Sequence, residues 1–189
     1  MWPSLARDGT LQTDGLRVSF YRGALYVLGY VSFAVSSKFT LAENTKGAVL
    51  EQSAIFAPFF SMMLLTFAVW IYMYSRRIPF ILRSKLTAEE LTPAGLVRLS
   101  PPQVANPSDN FKNLFELPAI FYALVLYLYV TSQADALYVG AAWVFVGFRF
   151  LHSGVHCTVN IVVLRFWLYC ISALALWFMA GRAALHLFL

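Results

Sequence analysis

Residues 55–74 read IFAPFFSMMLLTFAVWIYMY. A helix that crosses a bilayer needs about 20 consecutive apolar residues, and this stretch has that length without a charge. Pro58 falls in its first turn, where a missing N–H costs least. Arg76 and Arg77 follow at once and mark a membrane face. The stretch reads as the first core spanning helix of an integral membrane protein.

Composition agrees. Of 189 residues, 60% are hydrophobic and 12% are charged, against roughly 25% charged in an average soluble domain. So little polar surface cannot cover a soluble core of this size. The apolar content excludes intrinsic disorder. Lysine and arginine number 14 against 9 acids, a net charge of +5. In a membrane protein such an excess marks cytoplasmic loops. No basic run with interleaved aromatics lies outside the apolar segments, so no nucleic-acid partner is expected. Cys157 and Cys170 form no CxxC motif and read as buried free thiols.

Outward from 55–74, three more apolar stretches read as helices: about 110–131, about 137–160, and about 164 to the C-terminus. Short connections make these three antiparallel neighbours. Residues 75–110 carry Arg76, Arg77, Arg83, Lys85 and Arg98, with Pro79, Pro93, Pro101, Pro102 and Pro107. The prolines read as a polar loop without a long helix. The positive-inside rule puts this loop and Arg165 in the cytoplasm, and the turn SQADA at 132–136 on the other side. Residues 1–47 read as an N-terminal extension with a short apolar, membrane-associated helix near 23–37. Residues 48–189 read as an all-α, four-helix transmembrane domain.

Charges inside spanning helices are expensive and default to functional candidates. Asn113 and Glu116 in NFKNLFELP share a helix face by their spacing of three. A carboxylate at that depth needs a cationic partner, unless it sits at a solvated helix start. In RFLHSGVHCTVN, at about 100° per residue, Arg149, His152, His156 and Asn160 fall within about 80° of one another. They make one polar stripe, joined by Ser153. Glu116 is the obvious anion for Arg149. The bland reading of the stripe is a structural Arg–Glu pair with satisfied core histidines. Arg165 lies on the far side if the helix continues, and at the start of the next helix if the chain breaks after Asn160. It then stands at the mouth of the stripe or acts as a plain topological anchor. HSGVH has the i, i+4 spacing of paired metal ligands. It lacks the neighbouring glutamate and enough ligands for a closed site, so no metal is expected. Cys157 is a weak nucleophile candidate.

These motifs, in this order, resemble the MAPEG family, the membrane-associated proteins in eicosanoid and glutathione metabolism. The likeness runs from Ile55 through Arg165. It rests on IFAPFFSMMLLTFAVWIYMYSRRIP, then NLFELP, then RFLHSGVH, with Arg165 beyond. The resemblance implies a left-handed four-helix bundle that assembles as a homotrimer. It implies glutathione as co-substrate, bound between subunits at the cytoplasmic side. The thiol is passed to a lipophilic electrophile, or serves to isomerise a peroxide or reduce a hydroperoxide.

On the same ground, Asn113 and Glu116 correspond to an Asn-x-x-Glu pair that holds the tripeptide. Arg149 and His152 correspond to an Arg-x-x-His on helix three. Arg165 corresponds to the arginine set against the sulfur. Arg76 or Arg77 corresponds to the basic end of helix one. Asp109 stands where eicosanoid-forming members carry arginine, with Lys112 as a substitute cation from the next turn. His156 stands where they carry tyrosine. Both departures argue against an eicosanoid substrate. The expected activity is a glutathione-dependent transferase or peroxidase. The competing expectation is a non-enzymatic membrane protein of the same fold, whose stripe locks helices or binds a small anion.

Overall fold

The computed structural model describes residues 52–87 and 89–188. The extension at 1–47, with its apolar segment at 23–37, lies outside the described residues. A 3₁₀ turn, Gln52–Ile55, leads into α1 (Phe56–Ser84). Then come α2 (Pro93–Leu99), α3 (Pro102–Asn113), α4 (Leu117–Val130), α5 (Ala136–Cys157) and α6 (Val162–Phe188). Among the described residues there is no strand. Four stretches are long and apolar enough to cross a membrane: Gln52–Ser84, Pro102–Val130, Ala136–Cys157 and Val162–Phe188. The all-α reading holds.

The helices bury one stripe and leave large apolar side chains outside. Phe67, Trp70, Leu126, Val144, Leu174 and Trp177 are exposed, a surface that water does not tolerate and lipid does. Inside, Met62, Val69, Phe121, Val125, Leu128, Ala142, Phe145, Leu176 and Met179 are buried. Phe121 stacks on Phe145 with centroids 4.6 Å apart. Between helices in lipid, close packing of this kind replaces the hydrophobic drive. The α5–α6 pair makes the most extensive contact in the molecule.

Three boundaries differ from the sequence reading. First, α1 does not stop at Arg76 and Arg77 but runs on through Pro79 to Ser84. It ends at Lys85, whose φ of 45° is left-handed. Second, the supposed loop at 75–110 is largely helical. Pro93 and Pro102 begin α2 and α3, because a first-turn proline lacks only an N–H that has no partner there. Third, the second span is two helices. Glu116 has φ −86° and ψ −100°, outside the helical region. Pro118 explains the break, since it cannot donate to the carbonyl of Leu114 and its ring crowds that carbonyl.

The end away from the basic stretch is clamped. Asp135 accepts from Arg182 through both oxygens, Nη1 to Oδ1 at 2.8 Å and Nη2 to Oδ2 at 2.5 Å. It also caps α5 by accepting from the Tyr138 N–H at 3.0 Å. The Arg182 guanidinium lies 4.3 Å over the Tyr138 ring. Gln52 straddles the same turn, donating to the Ser132 carbonyl and accepting from the Ala134 N–H.

Candidate functional site

The polar stripe forms as its spacing requires except for Asn160, which falls beyond the end of the helix. Arg149, His152, Ser153 and His156 are all buried on α5. The helix ends at Cys157, and Asn160 adopts a φ of 48°. That left-handed residue turns the chain, and α6 starts at Val162. Arg165 therefore sits in the first turn of α6, not behind the stripe. His152 Nδ1 lies 3.0 Å from the backbone carbonyl of Arg165. A carbonyl only accepts, so Nδ1 carries the proton in that bond. Nε2, buried, has no hydrogen-bond partner among the described residues.

His152 and Arg165 open into a cavity of about 210 Å³. Among the described residues it is lined by Asn113, His152, Val162, Arg165, Phe166 and Tyr169. The structure thus brings together Arg165, Asn113 and His152. Tyr169, Phe166 and Val162 were missed in the sequence. Tyr169 had a signal, because it lies four residues after Arg165 on the same helix face. The cavity is smaller than the roughly 300–1,000 Å³ usual for a small-molecule site.

Arg149 lies behind this cavity and is fully buried. Its guanidinium is 4.7 Å over the Tyr169 ring and 5.6 Å over that of Phe145. Tyr169, through its charge and a polar side-chain contact, and Glu116, through its charge, act on it, while Nε, Nη1 and Nη2 have no well-aligned hydrogen bond to another described residue. The expected Arg149–Glu116 ion pair is not formed within the chain: no such salt bridge exists among the described residues. Glu116 is exposed in the break before α4, so it and Asn113 do not share one continuous helix. His156 is buried with Nδ1 unpartnered, its ring edge-on to that of His152 at 5.6 Å.

The other candidates lie elsewhere in the chain. Lys112 is exposed and bonded to Asp109 at 3.0 Å. The acid that replaces the expected arginine therefore occupies the lysine that was to stand in for it. Arg76 donates to the Tyr72 hydroxyl at 3.3 Å and lies over that ring. Arg77 is half-buried. None of the three lines the cavity. Both cysteines are free, Cys157 buried and Cys170 half-buried. Cys157 accepts from Asn110 Nδ2 at 3.4 Å, and Ser153 donates to Asn110 Oδ1 at 3.2 Å. This buried cluster ties α3 to α5. No three His, Cys, Asp or Glu side chains converge among the described residues.

A second cavity, of about 550 Å³, is a largely apolar groove between α1, α3 and α4. Met63, Phe67, Trp70, Phe115 and Tyr122 are among its walls.

Two guanidinium groups and a primary amide stand beside imidazoles whose free nitrogens are buried. A buried unpaired charge costs several kcal/mol, so the arrangement calls for an anionic or strongly accepting partner. A search of curated proteins and a search of solved structures each returned no match. The MAPEG family profile matches residues 55–185. The order of four spans, the broken second helix carrying Asn113, and the buried Arg149–His152 stripe all lie inside that match, and the chain belongs to the MAPEG family.

Proposed function

We propose that this protein is a membrane-bound, glutathione-dependent transferase or peroxidase acting on lipophilic electrophiles or hydroperoxides. The observation that carries the reading is the Arg149 guanidinium, buried with no well-aligned hydrogen bond to another described residue, beside a cavity lined by Asn113, His152 and Arg165. A purely structural stripe would have satisfied its own arginine.

Glutathione fits this donor set. Its carboxylates need fixed cations, and Arg149 is a permanent one. Asn113 offers an amide to the peptide backbone. His152 Nε2 and His156 Nδ1 offer further polar atoms. Glutathione's thiol is a weak nucleophile until ionised. Arg165 in the cavity wall favours the thiolate, because a nearby cation stabilises the charged form. In this reading Arg165 is catalytic, and Asn113, Arg149, His152 and His156 bind.

A homotrimer, implied by the family, belongs to the same reading. The cavity of one chain is small for the tripeptide, and an adjacent subunit would complete it. Glu116, exposed and near the site, would then face a neighbour, as would Arg76, Arg77 and Lys112. The basic residues of 75–110 lie at the same end as Arg165, which supports a cytoplasmic opening. The apolar groove supports an acceptor that arrives from the bilayer.

The test is turnover of glutathione with a hydrophobic aryl halide and with an alkyl hydroperoxide, using purified protein. Arg165→Ala should lower kcat by about a hundredfold, as expected for losing one charge-stabilising donor, with KM for glutathione little changed. Wild-type protein that turns over neither substrate counts against the reading.

A further inference from the structure

We propose that Asn160 and Asn106 form a relay that aims the Arg165 guanidinium into the cavity, and that both act as positioning residues for it. The proposal rests on the reading of that cavity as a glutathione site.

An arginine side chain is long and free to turn, so a guanidinium that is to stand beside a sulfur must be held. Arg165 Nη1 donates to Asn160 Oδ1 at 2.6 Å, the short distance of a charge-assisted bond. That bond uses one of five N–H donors and leaves the others to the cavity. The backbone of Arg165 is held from the opposite side, where its carbonyl accepts from His152.

The orientation of the Asn160 amide is itself fixed. A primary amide can flip, presenting NH₂ where oxygen stood, and NH₂ would repel a guanidinium. Asn160 Nδ2 donates to Asn106 Oδ1 at 3.0 Å, so the flipped amide would lose both bonds. Asn106 is half-buried on α3, in the stretch whose prolines suggested a loop. The helix carries it to the α5–α6 turn.

Asn160 also suits its backbone. Its φ of 48° lies in the left-handed region, which glycine enters freely and asparagine more readily than most residues. Its N–H donates to the Val155 carbonyl at 2.8 Å and closes the end of α5. Glycine meets the backbone requirement without the amide. Asparagine is needed for the amide.

This separation makes the test clean. Asn160→Gly keeps the turn and deletes the bond to Arg165. Asn106→Ala leaves the turn untouched and removes the far anchor. Two readouts are taken on full-length, detergent-purified protein. One is the ¹⁵N guanidinium signal of Arg165, which reports whether rotation about its Cζ–Nη bonds is held. The other is the ultraviolet absorbance of the thiolate on adding glutathione, followed across pH.

In wild type the guanidinium signal should be that of a held group. Both variants should release it and move thiol ionisation toward higher pH. Asn160→Gly should lower kcat roughly ten- to hundredfold, the scale of a misplaced group. KM should change much less, and Asn106→Ala should act in the same direction but more weakly. An Arg165 signal unchanged in Asn160→Gly overturns the relay. So does an unchanged thiol titration in that variant while Arg165→Ala shifts it. If Asn160→Gly fails to fold, Asn106→Ala decides by the same two criteria. A wild-type protein that shows no thiolate band sinks the glutathione reading instead, and the guanidinium signal alone then decides the relay.

Discussion

Arg149 is the residue at which stability and function pull apart. Its charge is buried among Phe145 and Tyr169 without a well-aligned hydrogen bond from another described residue. Replacing buried charges by apolar groups of similar size is often neutral or stabilising. Arg149→Met should therefore keep or raise the melting temperature of the ligand-free protein while abolishing glutathione binding. A marked loss of stability in Arg149→Met would mean that the arginine already has a partner, as in the structural-pair reading. The stripe itself was legible in the sequence, because helical spacing alone puts Arg149, His152 and His156 on one face. The missing ion pair was not, because it depends on Pro118 breaking the helix and leaving Glu116 exposed. Nor was Asn106 legible as part of the site, because its role depends on a turn made elsewhere.

At the scale of elements, the two ends of the bundle are built differently. The end that carries Arg165 gathers unsatisfied polar atoms around a cavity. The other end is pinned by direct bonds: the α4–α5 turn is bonded to Gln52, and Asp135 is bonded to Arg182 on α6, while Gln133 Oε1 and the Tyr138 hydroxyl are buried without a partner among the described residues. Those bonds hold the Asp135 carboxyl below the usual carboxylate range. A carboxyl depressed on folding adds stability above its unfolded pKa, near about 3.9, and loses it as pH falls through the folded value. Asp135 is about half exposed, so solvent screening limits the contribution to about 1 kcal/mol. Asp135→Asn should lower the melting temperature at neutral pH, and the gap from wild type should close below pH 4 or so. A gap that is constant with pH would remove the carboxylate from the explanation. Element type was easy to read from composition, because apolar runs of spanning length have few alternatives. Element ends were harder. The same residue, proline, opens α2 and α3, interrupts the chain before α4, and is tolerated within α1 at Pro79. Its effect depends on which carbonyl lies four residues back.

For the whole molecule, a MAPEG membrane bundle carries a cavity walled by Arg165, His152 and Asn113 that is small within one chain. The proposed homotrimer rests on the family resemblance, and a neighbour in it would complete that cavity. The detergent-corrected mass should be three times the 21.3 kDa chain, and a fully active monomer would contradict it. The central claim is that the cavity exists to take glutathione, and titration calorimetry of glutathione into detergent-purified protein tests it most directly. The expected result is saturable binding by wild type, lost in Arg149→Met and largely retained in Arg165→Ala. Absence of binding to wild type, or equal binding by wild type and Arg149→Met, would contradict it.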